Sequence, residues 1–141
     1  MSKREITPPA PRQDLGSVVC AALLLAGAAL IHSSVVRAHL DHWRPESMFF
    51  LALAMAEAYL AVGLVLWDSW SLYVATIALN LLTAGIWLWS RTVGLPLGPE
   101  AFQAESIGAL DAICTAFELG ACVLVATPLT HLLQRPDAPG A

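Results

Sequence analysis

The chain has 141 residues, which suffices for one domain and is too short for two independent cores. Hydrophobic residues make up 57% and charged residues 13%, against about 45–50% and about 25% in soluble domains. With a mean hydropathy of +0.67, this composition indicates an integral membrane protein. A net charge of −4 excludes the basic surface of a nucleic-acid-binding protein.

Four apolar blocks follow a short N-terminal segment. Residues 1–16 combine basic side chains with prolines and are predicted to form a disordered basic arm. The blocks are Ser17–Ala38, Ser47–Trp67, Ser71–Arg91 and Gln103–Leu133. Each block reaches the roughly 20 residues that a membrane-spanning helix needs. Residues 134–141 form a polar tail, also predicted to be disordered. The sequence therefore predicts an all-α polytopic membrane protein, an up-down-up-down bundle of four transmembrane helices.

The connections between the blocks are short. Residues 68–71 join the second and third blocks, so these two helices are predicted to be antiparallel neighbours. Residues 39–46 are predicted to form the first outer loop, and residues 94–99 the second. Basic residues are slightly more frequent on the side of the termini, namely at Lys3, Arg4, Arg12 and Arg135. The positive-inside rule then favours cytoplasmic termini and a multi-pass protein of the inner (plasma) membrane.

Polar side chains interrupt the apolar blocks at helical spacing. One face of the third block carries Tyr73, Thr76, Asn80, Thr83, Trp87 and Arg91. One face of the fourth carries Asp111, Cys114, Glu118 and Cys122. The first block adds His32 and His39, and the second adds Glu57 alone. Lipid does not solvate these groups, so the polar faces are predicted to meet in a core that opens to the outer surface.

Imidazole and carboxylate groups in such a core are ligands for Zn, Cu, Fe or Ni. The predicted inner site combines His32 with Asp111, supported by Glu118 and Glu57. A second, outer site combines His39, His42 and Glu105. The predicted metal ligands are His32, Asp111, Glu118 and His39. The predicted supporting polar core is Glu57, Asn80, Thr83, Arg91 and Glu105. Two alternatives for His32 stay open: a buried hydrogen-bonded pair with Asp111 that only specifies helix packing, and a proton relay.

The leading functional hypothesis is a membrane protein that binds copper or zinc for sensing, storage or handover of the ion. Enzymatic activity is not favoured, because no Ser/His/Asp arrangement and no glycine-rich phosphate loop is present. Haem is not favoured either, since bis-histidine ligation with His32 would need a histidine on a facing helix, and His131 lies at the far side. The three cysteines are predicted to be buried thiols, not disulfide partners.

Two other classes of function remain open. The first is a structural or accessory subunit of a larger membrane complex or homo-oligomer. Small residues at Ala22 and Ala26 would then be buried against a partner helix. The second is a proton-coupled transporter that uses Glu57 and Glu118 and acts as a dimer, since four helices make only half of a typical transport path.

The run from Trp87 to Pro99, WLWSRTVGLPLGP, resembles an uncharacterised family of small bacterial four-helix integral membrane proteins with the motif WxxSRTxGLPxGP. The resemblance extends over about residues 26–124. It includes His32, His39, Phe49, Phe50, Glu105, Gly108, Asp111 and Glu118. Glu57 departs from the family pattern, which more often has glutamine there. The resemblance implies the four-helix architecture and carries no activity.

Overall fold

The computed structural model describes residues 15–133 and contains four α-helices. These are α1 (Leu15–His42), α2 (Arg44–Leu66), α3 (Trp70–Thr92) and α4 (Ala109–Leu133). No strand occurs between residues 15 and 133, and the prediction of an all-α four-helix bundle is confirmed. The basic arm was predicted to be disordered over residues 1–16, but residues 15 and 16 belong to α1; residues 1–14 and the predicted disordered tail 134–141 lie outside the described residues. So do the four basic residues on which the predicted orientation rests.

The turn between α1 and α2 differs from the prediction. Residues 39–46 do not form a loop, because α1 continues to His42 and α2 begins at Arg44. Only Trp43 breaks the helix, with extended φ and ψ of −154° and 108°. No glycine or proline interrupts residues 36–44, so nothing stops α1 earlier. Pro45 stands in the first turn of α2, where its missing N–H costs no hydrogen bond.

The connection from α3 to α4 is longer than predicted, because α4 begins at Ala109 and not near Gln103. Gly94 and Gly98 have φ of 83° and 91°, conformations that favour glycine. A Cβ on Gly94 would lie 2.4 Å from the backbone nitrogen of Gln103. The Glu105 N–H donates to the Ser90 carbonyl at 3.0 Å. Residues 93–108 therefore fold back over the end of α3.

All four helices are long and apolar enough to cross a membrane. Their most apolar windows have mean hydropathies of 2.1, 2.1, 1.6 and 1.8. Large apolar side chains are exposed along all four, among them Leu30, Met55, Leu82 and Val123. Such a surface is compatible with the hydrocarbon of a bilayer, because apolar side chains have no hydrogen bonds with water to lose there. This surface is consistent with a multi-pass membrane protein. The identity of the membrane and the side on which each terminus lies stay predictions.

Helix α1 lies between α2 and α4, and α3 packs mainly on α4. Small residues allow these close approaches. A Cβ on Gly27 would come within 2.8 Å of the Phe117 ring of α4. Ala22 is 7% exposed and belongs to the chain's own apolar core, against which Ala26 packs. The small-residue patch considered for a partner helix therefore faces inward.

The core divides along the bundle axis. At the end where α1 begins and α2 ends, the buried side chains are mostly apolar and include Val18, Leu25, Leu64 and Val125, with Thr76 as a buried polar residue. The opposite end carries Trp43 and the connection 93–108, and we call it the loop end. Between the apolar cluster and the loop end, the buried side chains include His32, Glu57, Asn80 and Glu118. The polar groups thus occupy the middle of the bundle and the part next to the loop end.

Candidate metal centre

His32 is the centre of the buried polar group. Its side chain projects from the middle of α1 and the residue is only 6% exposed. Nδ1 lies 2.9 Å from Oε2 of Glu57 on α2, a residue with no exposed surface. The Phe50 ring stacks on the imidazole at a centroid distance of 5.6 Å. Two contacts from α2 therefore hold the ring in place.

The other ring nitrogen of His32 faces α4. Nε2 lies 3.5 Å from Sγ of Cys114 and 3.8 Å from Oε1 of Glu118. One potential ligand atom from each of the three residues lies within 4.8 Å of the others. We call His32, Cys114 and Glu118 the core triad. In the part of the chain that the structure describes, no other three His, Cys, Asp or Glu residues are grouped this closely.

The two buried carboxyl groups lack compensating positive charge. Glu57 and Glu118 are near enough to interact with each other, and one oxygen of each has no hydrogen-bond partner. Among residues 15–133, His32 is the only basic side chain that pairs with either of them. An ionised carboxylate in an apolar interior needs a nearby cation. A buried carboxyl group without such a cation takes up a proton instead, so these two groups offer oxygens that would bind a cation in place of a proton.

The prediction that Asp111 and His32 form one site is wrong. Oδ2 of Asp111 accepts from Nη2 of Arg91 at 2.8 Å and from the Gly108 N–H at 3.1 Å. Arg91 also donates to Glu105. The guanidinium group of Arg91 and the N–H of Gly108, just before α4, hold this carboxylate, and Glu57 takes the position beside His32.

His39 also has a different partner from the predicted one. Nε2 lies 3.3 Å from Oε1 of Glu46, and Nδ1 bonds to the Val35 carbonyl at 2.8 Å. Glu105 is engaged by Arg91 instead. His39 and Glu105 of the expected outer group therefore belong to two separate ion pairs, and His42 belongs to neither of them. All three residues nevertheless line the same cavity.

Asn80 and Thr83 bond mainly to their own helix. The Asn80 amide donates to the Thr76 carbonyl at 2.7 Å, and the Thr83 hydroxyl donates to the Leu79 carbonyl at 3.0 Å. Oδ1 of Asn80 is buried without a partner. Both side chains belong to the buried polar face of α3, as the helical spacing predicted.

Two adjoining cavities lead from the loop end toward the core triad. The inner one, of about 140 Å³, is lined by all three triad residues, and we call it the core cavity. The outer one, of about 970 Å³, is the vestibule. Residues that line both include His39, Glu46, Arg91, Glu105 and Asp111. Four acidic side chains and a single arginine line the vestibule, a balance that attracts cations.

Cys114 is the triad residue that the sequence analysis did not assign to the site. The sequence contains a pattern that would have indicated it, since Cys114 and Glu118 are four residues apart on the polar face of α4. Because cysteine is common in buried apolar positions, Cys114 was interpreted as an ordinary core residue. Glu57 was predicted to support the site of His32, but its direct contact with the imidazole was not predicted, because it depends on how α1 and α2 are rotated against each other.

Comparisons with protein-family models, with curated proteins and with solved structures find no match to this chain. The resemblance to small four-helix membrane proteins therefore stays a prediction.

Proposed function

We propose that this protein binds a transition-metal ion, zinc or copper, in the core of its transmembrane bundle. The ligand atoms are Nε2 of His32, Sγ of Cys114 and Oε1 of Glu118. The observation that carries the proposal is the convergence of these three atoms within 4.8 Å in a buried, acidic setting. Sensing, storage or handover of the ion is the role that we assign to the site.

The chemistry of the three ligands suits these metals. Zinc accepts mixed sulfur, nitrogen and oxygen ligands, while thiolate and imidazole also suit copper. Three protein ligands leave one position of a tetrahedral ion open, and an ion that is to be passed on needs such a position. The bound cation would balance the charge of Glu118 and of the Cys114 thiolate.

Glu57 would not bind the metal itself but would hold the metal ligand His32 in place. Its carboxylate accepts from the N–H at Nδ1 of His32 at 2.9 Å, which leaves the lone pair on Nε2 directed at the other two ligands. Carboxylates hold metal-binding histidines in this way in many proteins, and they raise the basicity of the ring. This gives Glu57 a positioning role.

The test is elemental analysis of the protein purified in mild detergent without chelator. We expect near-stoichiometric zinc or copper in the wild type and its loss in His32→Ala and Cys114→Ser. Cys20→Ser is the matched control, because loss of this thiol leaves the triad intact. Contrary to the prediction of a buried thiol, Cys20 is exposed, in the first half of α1.

Absence of metal from the wild type, even after reloading, would reject the proposal, and so would full occupancy of Cys114→Ser. The pair of His32 and Glu57 would then be a hydrogen-bonded tie between α1 and α2. Circular dichroism and gel filtration of each variant separate loss of metal from loss of fold.

A further inference from the structure

His39 and Glu46 lie where the vestibule meets the core cavity. Both residues line both cavities. Their side chains are 29% and 28% exposed, so they are reachable from water but largely surrounded by protein. His39 belongs to the last turn of α1 and Glu46 to the first turn of α2. The single-residue break at Trp43 places the two side chains opposite each other.

The hydrogen bonds of His39 determine which nitrogen carries the proton. Nδ1 lies 2.8 Å from the Val35 carbonyl oxygen, which only accepts, so Nδ1 carries a hydrogen. In a neutral ring Nε2 then presents a lone pair. That lone pair faces Oε1 of Glu46 at 3.3 Å, and this oxygen is an acceptor too. Two acceptors at this distance leave a place for a positive ion, either a proton or a metal.

No arginine supplies this positive charge in the described part of the chain. Arg91, the cationic side chain that lines both cavities, is engaged by Glu105 and Asp111. The pair of His39 and Glu46 therefore keeps its own capacity for a cation. A site with two protein ligands, completed by water, binds more weakly than the three-ligand core triad.

His39 is also placed toward His32. The two histidines are seven residues apart on α1, which corresponds to about 10 Å along a helix axis. The Phe50 ring contacts both imidazoles, at centroid distances of 5.6 Å and 4.8 Å. The two imidazoles thus lie along one side of the route from the vestibule to the triad, with an aromatic ring between them.

We propose that His39 and Glu46 form an entry site, which takes a divalent transition-metal ion from the vestibule before the ion moves to the core triad. The destination of the ion rests on the proposed function, whereas cation binding by the pair does not. The weak binding of two ligands is what a transit site requires, because the ion must leave it again.

Equilibrium dialysis with Zn²⁺ tests the pair by itself. In the His32→Ala protein, whose triad is incomplete, we expect one weak Zn²⁺ site to remain. It should be lost in His32→Ala/His39→Ala and retained in the control His32→Ala/His42→Ala, since His42 lines the vestibule without pairing with Glu46. Equal residual binding in all three proteins would overturn the entry site.

Stopped-flow mixing with Co²⁺ tests transit. The charge-transfer absorption of a cobalt–thiolate bond reports arrival at Cys114. Glu46→Gln preserves the shape of the side chain, and we expect it to slow arrival about tenfold with unchanged final absorbance, since one attracting charge is lost. The control Glu100→Gln removes the charge of a residue that lines the vestibule but not the core cavity, and it should slow arrival less.

Arrival in Glu46→Gln at the wild-type rate would overturn the transit role. A wild-type protein without any cobalt–thiolate absorption would reject the core triad as the metal site. In that case the dialysis experiment still decides whether the pair binds a cation, so the two proposals fail separately.

Discussion

At the scale of residues, the buried polar group is defined by which partner each ionisable side chain finds. His32 is bonded by Glu57 through one nitrogen and faces Cys114 and Glu118 with the other. Asp111 lies outside this group, because its carboxylate is bound by Arg91. The presence of a polar core follows from the helical spacing of polar residues in the sequence. The identity of each pair does not, because a carboxylate on α2 and one on α4 are equivalent candidates until the helices are placed.

The substitution Glu57→Gln tests the positioning role. A glutamine oxygen still accepts from Nδ1 of His32, but the negative charge that raises the basicity of the ring is lost. We expect Zn²⁺ affinity to fall about 10–100-fold with little change in thermal stability. Competition with a chromophoric chelator measures the affinity. Unchanged affinity in Glu57→Gln would show that the carboxylate serves only the packing of α1 against α2.

At the scale of elements, helix ends and helix contacts follow different rules. The cores of the four helices were predictable, because backbone groups in an apolar stretch must be satisfied within the helix. The residues at which the helices begin and end were less predictable. Only Trp43 separates α1 from α2 where a loop was expected, and residues 103–108 fold over α3 where helix was expected. The first difference follows from the lack of glycine and proline in residues 36–44, and the second from contacts such as the Glu105 N–H to the Ser90 carbonyl.

Gly27 tests the contact between α1 and α4. A Cβ at this position would lie 2.8 Å from the Phe117 ring, so Gly27→Ala should force the helices apart and destabilise the protein by about 1–3 kcal/mol. Gly85→Ala is the matched control, since a Cβ there meets nothing within 4 Å. Thermal unfolding in detergent measures both. Equal stability of the two variants would contradict the close approach.

At the scale of the whole molecule, the bundle combines an apolar half with a half that contains water-accessible cavities. The apolar cluster lies at the end where α1 begins, and the vestibule opens at the loop end. This asymmetry favours a site reached from one side over a channel through the protein. It also places the two metal-binding proposals in series, with the entry pair nearer the opening and the triad deeper.

The membrane arrangement has a direct test. In a chain without its native cysteines, Ser71→Cys lies in the first turn of α3 and Leu97→Cys lies in the connection 93–108, and both positions are exposed. Because α3 is expected to cross the membrane, an impermeant thiol reagent should label the two cysteines from opposite sides. Labelling of both from the same side would contradict the transmembrane arrangement, and the side that labels Leu97→Cys identifies the face on which the vestibule opens.

The sequence by itself determined the class of protein, the number of helices and the polar faces of α3 and α4. These depend on composition and on spacing along one helix, which are local properties of the chain. Only the tertiary structure decided that His32 meets Glu57, Cys114 and Glu118, and that Arg91 binds Asp111. Such pairs depend on the rotation and depth of one helix relative to another. Small residues such as Gly27 set that geometry, and the polar residues then pair with whatever they face.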